Sequence, residues 1–171
     1  MVGIVENPTR HKLEEAIHFL REMEQSLQDE KIFSYNLSAF LQATRNITYI
    51  MQKQYANTGG FAVWYCKIRT EMIGDKDLKY LKDARVDTVH KKIVPTEVEA
   101  GARMANTLSL VKVGEEPPRV DKPNLKKPSA SNSPIILRYL FMDHNSESVI
   151  EFCDKQLKKL EKIVEECENS F

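Results

Sequence analysis

The residues whose types and spacing could do chemistry are Arg85, Asp87 and His90, all within the run Lys82–His90 of the 171-residue chain. Helical periodicity places Arg85 four residues after Leu81 and seven after Leu78, so its stem lies on an apolar stripe. A guanidinium there must snorkel to water, meet a carboxylate, or face a cavity or interface. Asp83, Asp87 and His90 share a second stripe at spacings of four and three. A carboxylate on that stripe could orient the imidazole, a group that titrates near neutral pH and moves protons. Arg85 and His90 diverge by about 140° on a regular helix, so a shared site needs the reach of the arginine or fraying near the helix end. A purely structural account also fits. In it Arg85 pairs with Asp83 or another carboxylate, and His90 is a solvated residue at a helix end, where the dipole favours a cation.

The elements that position these residues read as a mainly α domain. Asn7-Pro8 is a cap and first-turn pair, followed by Leu13, Ala16, Ile17, Leu20, Met23 and Leu27 at helical spacing. A second helix carries the stripe Phe33, Leu37, Phe40, Leu41, Thr44, Thr48, Met51 and Tyr55. Its other face holds Ser34, Asn36, Ser38, Gln42, Asn46 and Tyr49, and between Ile32 and Cys66 only Arg45 and Lys53 are charged. Such a face is expected to be shielded, by another helix or by a second subunit. Asn57-Thr58-Gly59-Gly60 breaks the chain, and Phe61, Trp64, Tyr65, Ile68 and Met72 form a third stripe. Gly74-Asp75 reads as a stop and a cap, after which Leu78, Leu81, Ala84, Thr88 and Val89 continue as the fourth helix. Residues 7–94 therefore predict an up-and-down four-helix bundle.

Beyond Pro95 the pattern changes. Thr107–Val113 alternates as a half-buried strand does, and Ile135–Met142 reads as a second strand. The proline-, lysine- and serine-rich segment between them predicts a long exposed loop, so that residues 95–142 would form an appended β-hairpin. Asn145 or Ser146 would cap a long C-terminal helix over residues 145–169, with Val149, Cys153, Leu157, Leu160, Val164 and Cys167 inward. A single domain spanning 1–171 is the expectation.

Composition narrows the function classes. The 42% apolar and 29% charged shares are those of a folded globular chain rather than a disordered one. Basic and acidic side chains balance at 25 each, so no global basic excess marks a binder of long nucleic acid. Residues 66–92 are locally basic, with eight cations against five carboxylates, and Arg119, Lys122, Lys126 and Lys127 face Asp121 alone in the predicted loop. These two segments could guide RNA towards Arg85 if they share a side of the bundle. Cys66, Cys153 and Cys167 lack metal or redox spacing and are expected as free thiols in a cytoplasmic protein. The start MVGIVENPTR lacks a signal-peptide stretch, and no window reaches a membrane span. His11 and His18 lie seven apart without a third ligand, so no metal or other cofactor is expected. There is no P-loop, dinucleotide fingerprint or serine-nucleophile elbow. Trp64 and Tyr65 are expected in the core.

An arginine, four intervening residues and a histidine on a late helix of an all-α bundle resemble the HEPN superfamily. The resemblance covers roughly residues 9–92 and implies a homodimer whose arginines and histidines meet at the interface. It further implies a metal-independent endoribonuclease that leaves a 2′,3′-cyclic phosphate. On that likeness His90 would exchange protons with the ribose 2′-hydroxyl or the leaving oxygen, and Arg85 would stabilise the transition-state charge. The family usually places a polar residue directly after the arginine. Val86 stands here, and Asp87 follows one position later. Lys92 occupies the place of the tyrosine that nucleotidylated members carry, so that regulation is not implied. The alternative is a non-catalytic relative of the same fold, serving as a protein-interaction or nucleotide-binding module.

Overall fold

The computed structural model describes residues 7–90, 96–104, 107–112, 135–142 and 144–171. These form two compact units, one holding the helices and the other the strands.

In the helical unit, α1 (Pro8–Gln25) starts at Asn7, whose side chain accepts from the Arg10 N–H at 3.0 Å while Pro8 occupies the first turn. Ser26 ends it, its hydroxyl donating to the Glu22 carbonyl at 2.7 Å. Asp29 then caps α2 (Glu30–Gln54) by accepting from the Ile32 N–H at 3.0 Å. Two caps three residues apart leave so short a link that α1 and α2 fold back as an antiparallel pair. The far end confirms that direction: both the backbone N–H and the hydroxyl of Thr9 donate to Gln54 Oε1, at 2.9 and 2.7 Å. α1 and α2 pack extensively on each other, and Leu13, Ala16 and Met23 of α1 and Phe33, Phe40, Ile47 and Met51 of α2 are essentially fully buried.

The third helix, α3 (Phe61–Gly74), begins after Gly60, whose φ of +83° is a left-handed conformation that a residue with a side chain would adopt only under strain. Asp75 separates it from α4 (Lys76–His90) and caps the latter, its Oδ1 accepting from the N–H groups of Asp77 and Leu78, both at 3.0 Å. The stop and cap expected at Gly74-Asp75 are both present. α4 packs on α2 and α3.

The last helix, α5 (Val149–Ser170), belongs with the other four from Ile150 onwards rather than standing as an appendage. Phe152, Cys153, Leu157, Leu160, Val164 and Cys167 are buried along it. Glu168 accepts from Asn7 at 2.7 Å and pairs with both ends of the Arg10 guanidinium fork. Lys159 Nζ sits 2.6 Å from Asp75 Oδ2, and the Tyr80 and Phe152 rings meet edge to face. Its start is later than Asn145 or Ser146, because those residues lie within the strand that precedes it.

The second unit is a sheet of β1 (Thr96–Met104), β2 (Thr107–Lys112), β3 (Ile135–Phe141) and β4 (His144–Ser148), antiparallel throughout in the order β2-β1-β3-β4. The two strands read from the sequence, β2 and β3, do not pair with each other. Each pairs with β1, where Ala100 lies opposite both Val111 and Leu137. β1 escapes sequence reading because its alternating positions Val98, Ala100 and Ala102 include two alanines, and Gly101 interrupts them. A bulge at Leu140/Phe141 shifts the β3–β4 register. The predicted basic loop with Arg119, Lys122, Lys126 and Lys127 lies outside the described residues.

Candidate functional site

Arg85 is half-buried on α4, ten residues after the cap at Asp75. Its Nε donates to Gln42 Oε1 of α2 at 3.1 Å. That partner is neutral. The carboxylate pairing with Asp83 that a structural account would supply is not formed, and Asp83 is exposed. Gln42 belongs to the uncharged face of α2, so α4 accounts for part of that face's shielding. Ser34, Ser38 and Asn46 on the same face are half-buried, while Tyr35 and Tyr49 remain 56% and 47% exposed. Val86 is half-buried beside Arg85.

The backbone of α4 continues as helix through Asp87 to His90, but the side chains of Asp87 and His90 lie outside the described residues. The structure therefore places the arginine and its partner, and places the histidine only by helix register. On an unbroken helix that register keeps the divergence of about 140°.

A second feature was not read from the sequence. Between α2, α3, α4 and one residue of α5 lies a half-open cavity of about 420 Å³. Leu41, Leu78, Leu81, Met72 and Leu160 give it an apolar floor. Arg45, Arg69, Lys79 and Lys82 line it from three helices, and no carboxylate does. Among the described residues none of these four cations has an acidic partner. Of the carboxylates nearby along α3 and α4, Asp75 and Asp77 turn to Lys159, Glu71 reaches towards Lys67, and Asp83 is exposed.

Tyr65 stands in the cavity wall. Its hydroxyl meets Thr48, and Thr48 Oγ1 in turn accepts from Arg45 Nη1 at 2.9 Å. Burial pushes the Tyr65 pKa above its ordinary value, against the opposing pull of Thr48 and of the Arg45 and Arg69 charges. Both arginines therefore act on the same phenol from two helices. The only sequence signals for this group were Arg45, one of two charges in a long neutral stretch, and the local basic excess of residues 66–92. Neither says that the cations converge.

Trp64 and Phe171 join Phe61 and Tyr55 in an aromatic cluster, and Trp64 Nε1 donates to Glu166 at 2.8 Å. Cys66 is exposed, whereas Cys153 and Cys167 are buried free thiols. His11 and His18 are exposed on α1, and no group of three or more metal-type side chains gathers among the described residues. No helix among the described residues is long and apolar enough to cross a membrane.

Comparison with known proteins gives one match. The sequence profile of the family described as bacteriophage lambda protein ea47 matches residues 7–134, more than half of the chain. The matched stretch includes Gln42, Arg85, His90 and every cavity residue named above except Leu160. No curated protein and no solved structure matches the chain.

Proposed function

We propose that this chain, which belongs to the family of bacteriophage lambda protein ea47, is a metal-independent endoribonuclease that works as a homodimer, with Arg85 and His90 as its catalytic pair. The observation that carries this reading is the state of Arg85. Its Nε is fixed by a neutral amide, no described carboxylate neutralises it, and its helix runs on unbroken to His90. A guanidinium held through Nε keeps its two terminal nitrogens for a pair of phosphate oxygens, the fork geometry that suits phosphoryl recognition.

In the reaction the ribose 2′-oxygen attacks the adjacent phosphorus and the bond to the 5′-oxygen breaks, leaving a 2′,3′-cyclic phosphate and a 5′-hydroxyl. His90 accepts the 2′-hydroxyl proton or supplies one to the departing 5′-oxygen. Arg85 stabilises the charge that gathers on the phosphoryl oxygens. Asp87, three residues before His90, orients the imidazole. The homodimer is supported by Tyr35, Gln42 and Tyr49, which recur at seven-residue spacing along α2 and leave two exposed aromatics flanking the Arg85 contact. Pairing two such faces would bring two copies of Arg85 towards each other.

The test is cleavage of unstructured RNA in EDTA by the wild-type chain and by His90→Ala. Cleavage by the first and its loss in the second support the reading, and no cleavage or equal cleavage rejects it. A second reading, a non-catalytic interaction or nucleotide-binding module, is favoured by one specific observation: Arg85 is already bonded within its own chain. It predicts a chain that binds RNA or protein and leaves RNA intact in the same assay.

A further inference from the structure

The cavity between α2, α3 and α4 does not count Arg85 among its lining residues and has the features of a ligand site. Four cationic side chains from three helices line about 420 Å³ with no acidic side chain among them, above an apolar floor. Like charges so placed repel one another, and only water screens them. Asp75 and Asp77 pair with Lys159 and Glu71 lies beside Lys67, cations that do not line the cavity, while Asp83 is exposed and does not line it either. The volume suits one small molecule and is too small for a helix or strand.

We propose that this cavity binds a small organic polyphosphate, its phosphate chain held by Arg45, Arg69, Lys79 and Lys82 and its organic body seated on Leu41, Leu78 and Leu81. The arginines offer forked contacts to phosphate oxygens, and the lysines act as point charges. Tyr65 adds a hydroxyl that can donate to a phosphate oxygen. The half-open mouth admits the ligand from solvent, and the apolar floor gives the organic part a reason to enter rather than leaving the phosphates to bind alone. This assignment is independent of RNA cleavage: none of its residues is Arg85 or His90, and it stands or falls by binding.

The experiment is calorimetric titration of the full chain at low salt with two probes, ATP and inorganic tripolyphosphate. They share a triphosphate chain, and only ATP has an organic body. ATP should bind with a one-to-one stoichiometry, and more tightly than tripolyphosphate. The double variant Arg69→Gln/Lys82→Gln should weaken ATP binding at least about tenfold, as expected for two lost charge-assisted contacts. Both side chains are exposed, and an unchanged thermal melt of the unliganded variant would show that it is folded. Lys67→Gln/Lys76→Gln removes the same charge outside the cavity and should leave the affinity unchanged. No heat with either probe, equal affinity for both probes, or equal weakening in the two double variants would overturn the proposal.

Discussion

The two flanks of α2 are built to opposite rules. Towards α1 the helix presents Phe33, Phe40, Ile47 and Met51 to a dry seam, closed at one end by Thr9 on Gln54. Towards α3 and α4 it presents Leu41, Thr44, Arg45 and Thr48 to a cavity, and Gln42 to a half-buried arginine. On α3 only Phe61 and Ile68 are buried. One flank is packed for stability, while the other keeps space and unneutralised charge that packing alone would remove. The difference separates the scaffold from the part of the molecule available for chemistry.

The largest effect should come from breaking the packed flank. Phe40→Ala removes a fully buried ring and is expected to cost roughly 3–5 kcal/mol in urea unfolding. A loss below about 1 kcal/mol would mean that the α1–α2 seam is not the scaffold.

Asp75 joins the scaffold to the open flank and should matter less. Asp75→Ala removes the cap of α4, worth roughly 0.5–2 kcal/mol in thermal or urea unfolding. The pH dependence follows from its charge. Burial opposes ionisation, but Lys159 and the N–H groups of Leu78 and Asp77 outweigh it and hold the carboxyl below its ordinary range. A depressed folded-state pKa means that the contribution is complete above the unfolded value, near 3.8, and disappears as pH falls through the lower folded value. Asp75→Asn should therefore flatten the acid limb of the stability curve and leave the neutral region nearly parallel to wild type.

On the open flank, charge removal should cost little. Arg69→Gln is expected to change stability by no more than about 0.5 kcal/mol in either direction, because the side chain is exposed and has no described acidic partner. A clear destabilisation would show that the cavity is part of the scaffold. The smallest effect is a labelling result. In the native chain Cys66 should react with a thiol reagent, while Cys153 and Cys167 stay protected. Burial removes their access and raises their pKa values, that of Cys167 to about 11.

The packed flank was legible in the sequence because it is written in periodicity. Asn7-Pro8, the stripes of α1 and α2, and the stop at Gly74-Asp75 each announce themselves locally. The open flank was not, since convergence of Arg45, Arg69, Lys79 and Lys82 depends on how three helices pack, and no spacing along one helix encodes it. Arg85 falls between these cases. Its place on an apolar stripe marked it as unusual, but the local candidate Asp83 lost to Gln42, 43 residues away. The sheet shows the same limit, because β1 has weak alternating residues and is recognisable only through the two strands that flank it.

The most direct test of the account is to identify the products of RNA cleavage in EDTA for wild type and Arg85→Ala, with thermal melts run alongside. The account predicts 2′,3′-cyclic phosphate and 5′-hydroxyl ends from the wild type, and at least about a hundredfold loss of rate in a variant that melts normally. Products with other ends, or cleavage that persists in Arg85→Ala, would contradict it.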